Sequence, residues 1–454
     1  MPNETDIVIC GAGIAGVSAA YHLAVKHGRT DILLVDERPP LSLTSDKSTE
    51  CYRNWWPGPG DAMVSLMNRS IDLLEALAIE TGNIFHLNRR GYLYVTSQAD
   101  KIPEFIRAAE EPPQLGAGPL RIHSGTGSDY VPPDPERFLD QPDGADLLLD
   151  SRLLREHFPY LSERAAAALH VRRAGWFSAQ QLGAYLLEKA RQQGVNLMKA
   201  RIIGVNVTSG RVRSVQLDDG SSVAIRSFVN AAGPMLPEVG NMLGVDLPVY
   251  SELHLKVAFK DHLGVVPRNA PLLIWTDPQT LAWSAEEREL LAEDEATRWL
   301  LGEMPPGVHT RPEGASTSPI ILMLWEYHLA EVEPVWPLPL DSLYSDVALR
   351  GLGTMIPGLQ AYYEKSPRPS LDGGYYTKTR ENRPLIGPLP VEGTYVIGAL
   401  SGFGQMASMA AGELLAAHLT GSPLPSYAPA FDLSRYQDPS FQELLDSWGD
   451  SGQL

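Results

Sequence analysis

The sequence predicts an α/β protein with a Rossmann-like dinucleotide-binding domain, and three observations carry that prediction. Residues 6–10 form a short apolar run that enters a Gly-x-Gly-x-x-Gly turn at Gly11, Gly13 and Gly16. A second apolar run, 31–35, ends at Asp36, about twenty residues past the last of these glycines. Two later stretches, 228–234 and 394–419, again run an apolar strand into small residues.

The glycines let the chain turn tightly and approach a pyrophosphate. The small-residue segment through His22 continues as a helix, whose N-terminus offers free N–H groups near Ile14 and Ala15. Asp36, with Glu37 beside it, can accept hydrogen bonds from ribose hydroxyls. A glycine turn alone is weak evidence. Strand, glycines, helix, strand and acid in register predict a bound dinucleotide.

At 454 residues the chain is long for one core and predicts two or three domains. The formal net charge of −18 argues against a nucleic-acid partner, whose phosphates it would repel. No basic run suggests an anionic membrane surface. Cys10 and Cys51 make no disulfide framework and no metal-ligand cluster, and Cys10, inside the first strand, reads as a core residue rather than a reactive thiol. The uncharged stretch 393–412 is as long as a membrane span but too rich in Gly, Ser and Ala for one. Neither a transmembrane segment nor a cleaved export signal is expected, and the expected location is the cytoplasm or another reducing compartment.

Past the first βαβ unit, residues 61–81 carry helical apolar spacing at Met63, Leu66, Met67, Ile71, Leu74 and Leu77, and 90–95 read as a strand. Residues 110–147, rich in Pro, Gly and Asp, read as a surface excursion. A helix over 178–193 closes at Gly194. Strands follow at 201–207, 211–217 and 222–225, the last two joined by Asp218-Asp219-Gly220. Residues 245–350 alternate strand-like runs, 253–259 and 320–325, with an acidic helical stretch near 284–302. The simplest architecture assembles one dinucleotide domain from 1–90, 150–245 and 370–425. A substrate domain from 91–149 and 246–369 is inserted between these segments, and 426–454 form a C-terminal tail.

Four further motifs accompany the glycine turn: the polar run 44–49, the pair Arg201-Ile202 with Asn230-Ala231-Ala232-Gly233, the run 382–388 (Asn-Arg-Pro-Leu-Ile-Gly-Pro), and 400–406 (Leu-Ser-Gly-Phe-Gly-Gln-Met). With them the chain resembles, over most of its length, the flavoprotein family of D-amino acid, glycine and sarcosine oxidases. The resemblance implies a glutathione-reductase-type FAD-binding domain and an interleaved α+β substrate domain on an antiparallel sheet. It implies that Thr44, Ser45, Lys47, Ser48 and Thr49 wrap the flavin, that the Ile202 backbone meets the adenine, and that Ala231, Ala232 and Gly233 pack beside the dinucleotide. Gly402, Phe403, Gly404, Gln405 and Met406 form a turn opening a helix, whose N–H groups and dipole would stabilise an anionic reduced flavin.

Arg53 falls where the resemblance places an arginine for a substrate carboxylate, which a guanidinium grips through two parallel N–H bonds. Trp55, Trp56 and Tyr376 resemble aromatic pocket walls. His254 and His328 are the candidate histidines, and Lys256 and Lys378 the candidate cations beside the flavin. Departures from the family pattern narrow the reading. Gly374 stands where sarcosine oxidases attach flavin through a cysteine, so FAD is expected to be non-covalent by that route. Met406 aligns with a second carboxylate-binding lysine, which argues against glycine or sarcosine itself as substrate. Met323 lies near the oxygen-activating lysine. That favours a dehydrogenase passing electrons to a quinone or carrier protein over an oxidase using oxygen.

The sequence thus reads as an FAD-dependent oxidoreductase acting on the C–N bond of an amine or amino acid, most of all a secondary or N-substituted one. Hydride transfer to flavin N5 would give an imine that hydrolyses, with no dedicated general base required. The alternatives are a non-catalytic flavin-binding assembly or scaffold protein and an NAD(P)H-dependent flavin monooxygenase. Oligomeric state stays open, a homo-oligomer included.

Overall fold

The computed structural model describes residues 4–125, 128–446 and 448, so the end of the expected 426–454 tail lies outside the described residues. β1 (Ile7–Cys10) and β2 (Ile32–Asp36) are apolar at nearly every position, as strands covered on both faces must be. They lie inside a six-stranded sheet with β9 (Asn196–Lys199), β13 (Ser227–Asn230), β21 (Leu385–Pro388) and β22 (Thr394–Gly398), in the order β21-β22-β13-β1-β2-β9. All its pairings are parallel except that of β21 with β22. One face packs on α1 (Ile14–Tyr21), α3 (Ala62–Thr81), α6 (Ala179–Gln192) and α10 (Gly404–Thr420). The other face sets Val8, Leu33 and Phe228 against α7 (Leu236–Met242) and a three-stranded sheet of β10 (Ile202–Thr208), β11 (Arg211–Leu217) and β12 (Ser222–Ala224).

Missing side chains set how closely these elements meet. A Cβ on Gly16 would strike the Gly11 carbonyl, and one on Gly11, at φ +110°, would strike the Ala231 carbonyl. A Cβ on Gly412 would strike the Ser18 hydroxyl, which instead donates to the Ser408 carbonyl at 2.7 Å and ties α1 to α10.

The second sheet has nine strands. In spatial order they are β20 (Ser370–Lys378), β14 (Tyr250–Lys260), β19 (Ile320–Leu324), β18 (His309–Pro312), β15 (Leu272–Trp275), β4 (Tyr92–Thr96), β7 (Ala167–Val171), β6 (Ala145–Leu148) and β5 (Leu120–His123). Its pairings are antiparallel except β4 with β15 and β5 with β6. Alternation is plain here. Leu255, Val257, Phe259, Ile321 and Met323 enter a core shared with α5 (Ser151–His157) and α9 (Tyr344–Met355). Glu252, His254, Lys256, His309, Arg311 and Tyr376 occupy the opposite face, which meets the dinucleotide domain. Between the two sheets lie α2 (Thr44–Lys47) and an antiparallel ribbon of β3 (Cys51–Arg53) and β8 (Ala174–Trp176).

Two expected domain boundaries move. β7 falls inside 150–245 and β20 inside 370–425, yet both pair in the nine-stranded sheet, because ladder partners rather than composition decide which sheet a strand joins. The 110–147 stretch is more than a surface excursion. Pro112 and Pro113 close the last turn of α4 (Ile102–Gln114), and β5 and β6 build the parallel edge of the sheet. Buried Asp146 pins that edge by accepting from Arg121, Arg172 and His123 at 2.5–3.0 Å. Burial raises its pKa, but these donors outweigh burial and hold it at about 2. The acidic 284–302 stretch forms α8 (Ala285–Glu293), capped by Ser284 and Glu287, between the short paired strands β16 (Gln279–Thr280) and β17 (Glu303–Met304).

Ahead of α11 (Pro439–Asp446), the C-terminal segment is fastened by Arg435, which donates to buried Glu381 at 3.0 and 2.7 Å, while the Tyr436 hydroxyl donates to the same oxygen at 2.8 Å. Arg435→Met should strand that carboxylate and lower the unfolding free energy by about 3–5 kcal/mol, read as an earlier midpoint in urea denaturation.

Candidate active site

The turn after β1 and the ends of β2, β10 and β13 border two adjoining cavities. Gly11, Asp36, Glu37, Ile202 and Ala232 line the first, of about 520 Å³. Asp36 also braces the turn, accepting from the Ala12 N–H at 2.7 Å and the Arg38 N–H at 2.8 Å. Cys10 borders the same space rather than sitting wholly in the core. Burial, then Asp36 and Glu238, push its thiol up to about 12, so it is no nucleophile.

The second cavity, of about 100 Å³, is bordered on one side by Gly13, Ile14, Ala15, Ala231 and Gly233. Thr44, Ser45, Ser48 and Tyr376 border another side, and Gly402, Gly404 and Gln405 at the start of α10 complete it. Ser45 staples the site: its Oγ accepts from the Ile14 N–H at 3.0 Å, and its carbonyl accepts from Gln405 Nε2 at 3.0 Å. Thr44 Oγ1 donates to the Tyr375 carbonyl at 3.1 Å. The residues fit a dinucleotide on two counts. Gly11 and Gly16 leave no room for a Cβ and so keep the turn tight, and Gln405 Oε1 is buried without a partner at the cavity wall.

Several expected contacts fall elsewhere. Phe403 and Met406 bury their side chains in the core, Phe403 edge-on to Trp56 at 5.2 Å, so only their backbones remain for a cofactor. Lys47 turns away, its Nζ 2.7 Å from both Asp46 and Asp372. The Thr49 carbonyl is held by Arg311 at 2.9 and 2.7 Å, and the residue borders neither cavity. His328 is largely exposed and pairs with Asp341 at 3.0 Å. Met323 lies on the core face of its strand. Leu322 and Leu324 occupy the face toward the site, since alternate residues of a strand point oppositely. At Gly374 a Cβ would meet Thr44 and Lys47 at 3.3 and 3.2 Å, so a larger residue would need those neighbours to give.

Arg53 is buried and borders neither cavity, and its neighbour Trp56 packs on Phe403 just ahead of α10. Its guanidinium lies 4.4 Å over the Trp56 ring and 5.6 Å from that of Tyr92, and Nε donates to the Trp55 carbonyl at 3.2 Å. Among the described residues no carboxylate pairs with it.

On the facing sheet, His254, Lys378 and Arg311 have carboxylate partners, while Lys256 donates to the Ser48 carbonyl. Tyr376 stacks on His254 with ring centroids 3.8 Å apart. His254 Nε2 lies 2.9 Å from Glu252, and Nδ1 lies 3.5 Å from Glu326. Lys378 Nζ donates to both Glu252 oxygens at 3.1 Å. Burial opposes a charge on His254, but Glu326 and Glu252 outweigh it and raise the imidazole above its ordinary value. Burial likewise opposes the Glu326 charge, which His254 holds at about 2. Among the described residues no His, Cys, Asp and Glu group is arranged for a metal ion. Sequence reasoning missed Glu252, His309, Arg311 and Glu326. The alternation Glu252-x-His254-x-Lys256 was the available signal for a polar strand face.

The family model of FAD dependent oxidoreductases of the DAO type matches residues 6–418. The chain belongs to this family, and its cofactor is FAD. Curated relatives include the mitochondrial dimethylglycine dehydrogenases of Rattus norvegicus, 25% identical over 253 residues, and of Homo sapiens, 26% identical over 316 residues. The matches cover 56% and 67% of this chain but only 26% and 33% of those proteins. Among solved structures, L-proline dehydrogenase from P. horikoshii superposes with a TM-score of 0.73 at 20% identity, over 96% of this chain and 99% of its own. Glycine oxidase from Geobacillus kaustophilus gives 0.72 at 17% identity, over 95% and 99%. These likenesses fix the fold. Among the described residues no helix is long and apolar enough to cross a membrane.

Because folding raises the His254 pKa, its contribution to stability is complete below the ordinary 6.5 and fades as pH rises through the raised value. Thermal melts of His254→Gln should therefore show a deficit against the wild type at acidic pH that shrinks toward alkaline pH. A deficit that grows with pH would show the imidazole to be neutral in the folded protein.

Proposed function

We propose that this protein is an FAD-dependent amino acid dehydrogenase that oxidises the C–N bond of a secondary or N-substituted amino acid. One observation carries the proposal. Arg53 is a buried cation, linked through the Trp56 ring to Phe403 of the turn that borders the second cavity, with no carboxylate of the described chain to match it. An incoming carboxylate would supply the missing partner through two parallel N–H bonds, and so orient the α-carbon. The relatives' names point the same way: dimethylglycine and proline both carry an N-substituted amine beside a carboxylate.

FAD, held by the glycine turn and the start of α10, would supply the two-electron oxidation of the substrate C–N bond. The protein's own residues bind and orient. Trp56 and Tyr92 hold the guanidinium in place, and Tyr376, backed by the stacked His254 ring, borders the second cavity. Gly404 and Gln405, at the positive end of α10, favour negative charge beside them. With glycine at position 374, no thiol is available there for a covalent tether, so the reading has FAD held non-covalently.

The dehydrogenase reading rests on the cations of the site face, which are spoken for. Glu252 holds Lys378, while Thr49 and Glu313 hold Arg311. Direct use of oxygen has one observation in its favour: Lys256 Nζ donates to the Ser48 carbonyl at 2.8 Å, at the edge of the second cavity. Stopped-flow mixing under nitrogen with a panel of primary, secondary and tertiary amino acids tests the reading. N-substituted members should bleach the flavin bands, and Arg53→Met should raise the concentration for half-maximal bleaching about 10- to 100-fold. Readmitted air should restore the bands slowly and a soluble quinone quickly. A panel without effect on the spectrum would leave the scaffold alternative standing.

A further inference from the structure

His309 belongs to the site face of β18, in register with Leu324 of β19 on one side and Ile274 of β15 on the other. Tyr94 of β4 lies beyond Ile274. The imidazole is buried, and its Nδ1 sits 2.8 Å from the Gly307 carbonyl. A carbonyl only accepts, so Nδ1 carries the proton and Nε2 of the neutral ring is left with a lone pair. Among the described residues no hydrogen bond or ion pair engages Nε2, which leaves its lone pair available to accept a proton.

We propose that His309 is a catalytic base: its Nε2 accepts a proton from the ammonium group of the bound amino acid. This rests on the function proposed above. In the step, an N–H bond of the substrate breaks and leaves its electron pair on nitrogen. The proton joins Nε2, giving an imidazolium that keeps Nδ1–H on Gly307 and later yields the proton to water. The freed pair forms the C=N bond as the α-hydrogen departs with its own electrons to the oxidised flavin. A protonated amine has no such pair, so deprotonation must come first.

The surroundings suit the role. The charges acting on His309 are Glu326 past the end of β19, Arg53 of β3 and His254 of β14. Burial, with Arg53 and His254, holds the imidazole below the usual histidine value against the Gly307 bond and Glu326, so it stands ready as a base at neutral pH. Both Arg53 and Glu326 act on the His309 charge; under the function proposed above, the first would hold the substrate carboxylate and the second would attract its ammonium.

The test compares anaerobic flavin reduction by the best member of the panel in wild type, His309→Gln and His309→Asn from pH 6 to 10. A base of this kind contributes on the order of 10²-fold. Both variants should lose about that at pH 7 and recover most of it near pH 10, where the free amine binds already neutral. Added imidazole should restore part of the neutral-pH rate. A uniform loss at every pH, or no loss, would overturn the proposal. ¹⁵N spectra of histidine-labelled holoenzyme without substrate give a second readout. They should show a neutral Nδ1–H ring for His309 at pH 7, and an imidazolium or Nε2–H ring would overturn the proposal by itself. Failure of the panel to reduce the wild type would instead refute the function proposed above, while the spectra still decide the state of His309.

Discussion

Everything in this molecule that concerns a cofactor depends on a contact made possible by missing atoms. Gly11 and Gly16 bring the turn after β1 against the end of β13 at a distance no side chain would permit. Gly412 lets α10 lie against α1 in the same way. These approaches place two helix N-termini, those of α1 and α10, beside one cavity. A helix N-terminus offers unpaired N–H groups and partial positive charge. Two of them at one cavity make a site suited to a pyrophosphate and to an electron-rich ring. Ser45 then locks the arrangement by bonding to both sides of it.

The nine-stranded sheet supplies the other half of the site, and its electrostatics are close to balanced. Glu252 and Glu326 are matched by His254 and Lys378. Arg311 is matched by Glu313 and by the carbonyl of Thr49, which fastens the polar loop to the sheet. Burying an unmatched charge is costly, and proteins retain one where a ligand completes it. Arg53, on the β3 ribbon between the sheets, has no carboxylate partner among the described residues. Its aromatic neighbours soften the cost without removing it.

Much of this was legible in the sequence. The first βαβ unit, the helix after Ser178 and the glycine turn before α10 stand where their patterns put them, because each is decided by contacts close in sequence or by residue types with few uses. What escaped was decided by ladders between distant segments. β20 reads as part of the dinucleotide domain until its pairing with β14 is seen, and β5 and β6 are hidden by the turn residues that flank them. His309 and Glu326 escaped for the same reason. Neither belongs to a motif, and each becomes part of a site only when strands far apart in the chain lie side by side. Met323 misled because position along a strand says little until the face is known.

The central claim is that Arg53 receives the substrate carboxylate, and binding without turnover tests it most directly. Acetate, which cannot be oxidised by hydride loss next to nitrogen, should be titrated into the oxidised holoenzyme while the flavin bands are followed. The account predicts a saturable difference spectrum in the wild type, competition with the reducing amino acid, and no response in Arg53→Met. A spectrum that acetate leaves unchanged, or one that responds equally in the variant, would contradict it.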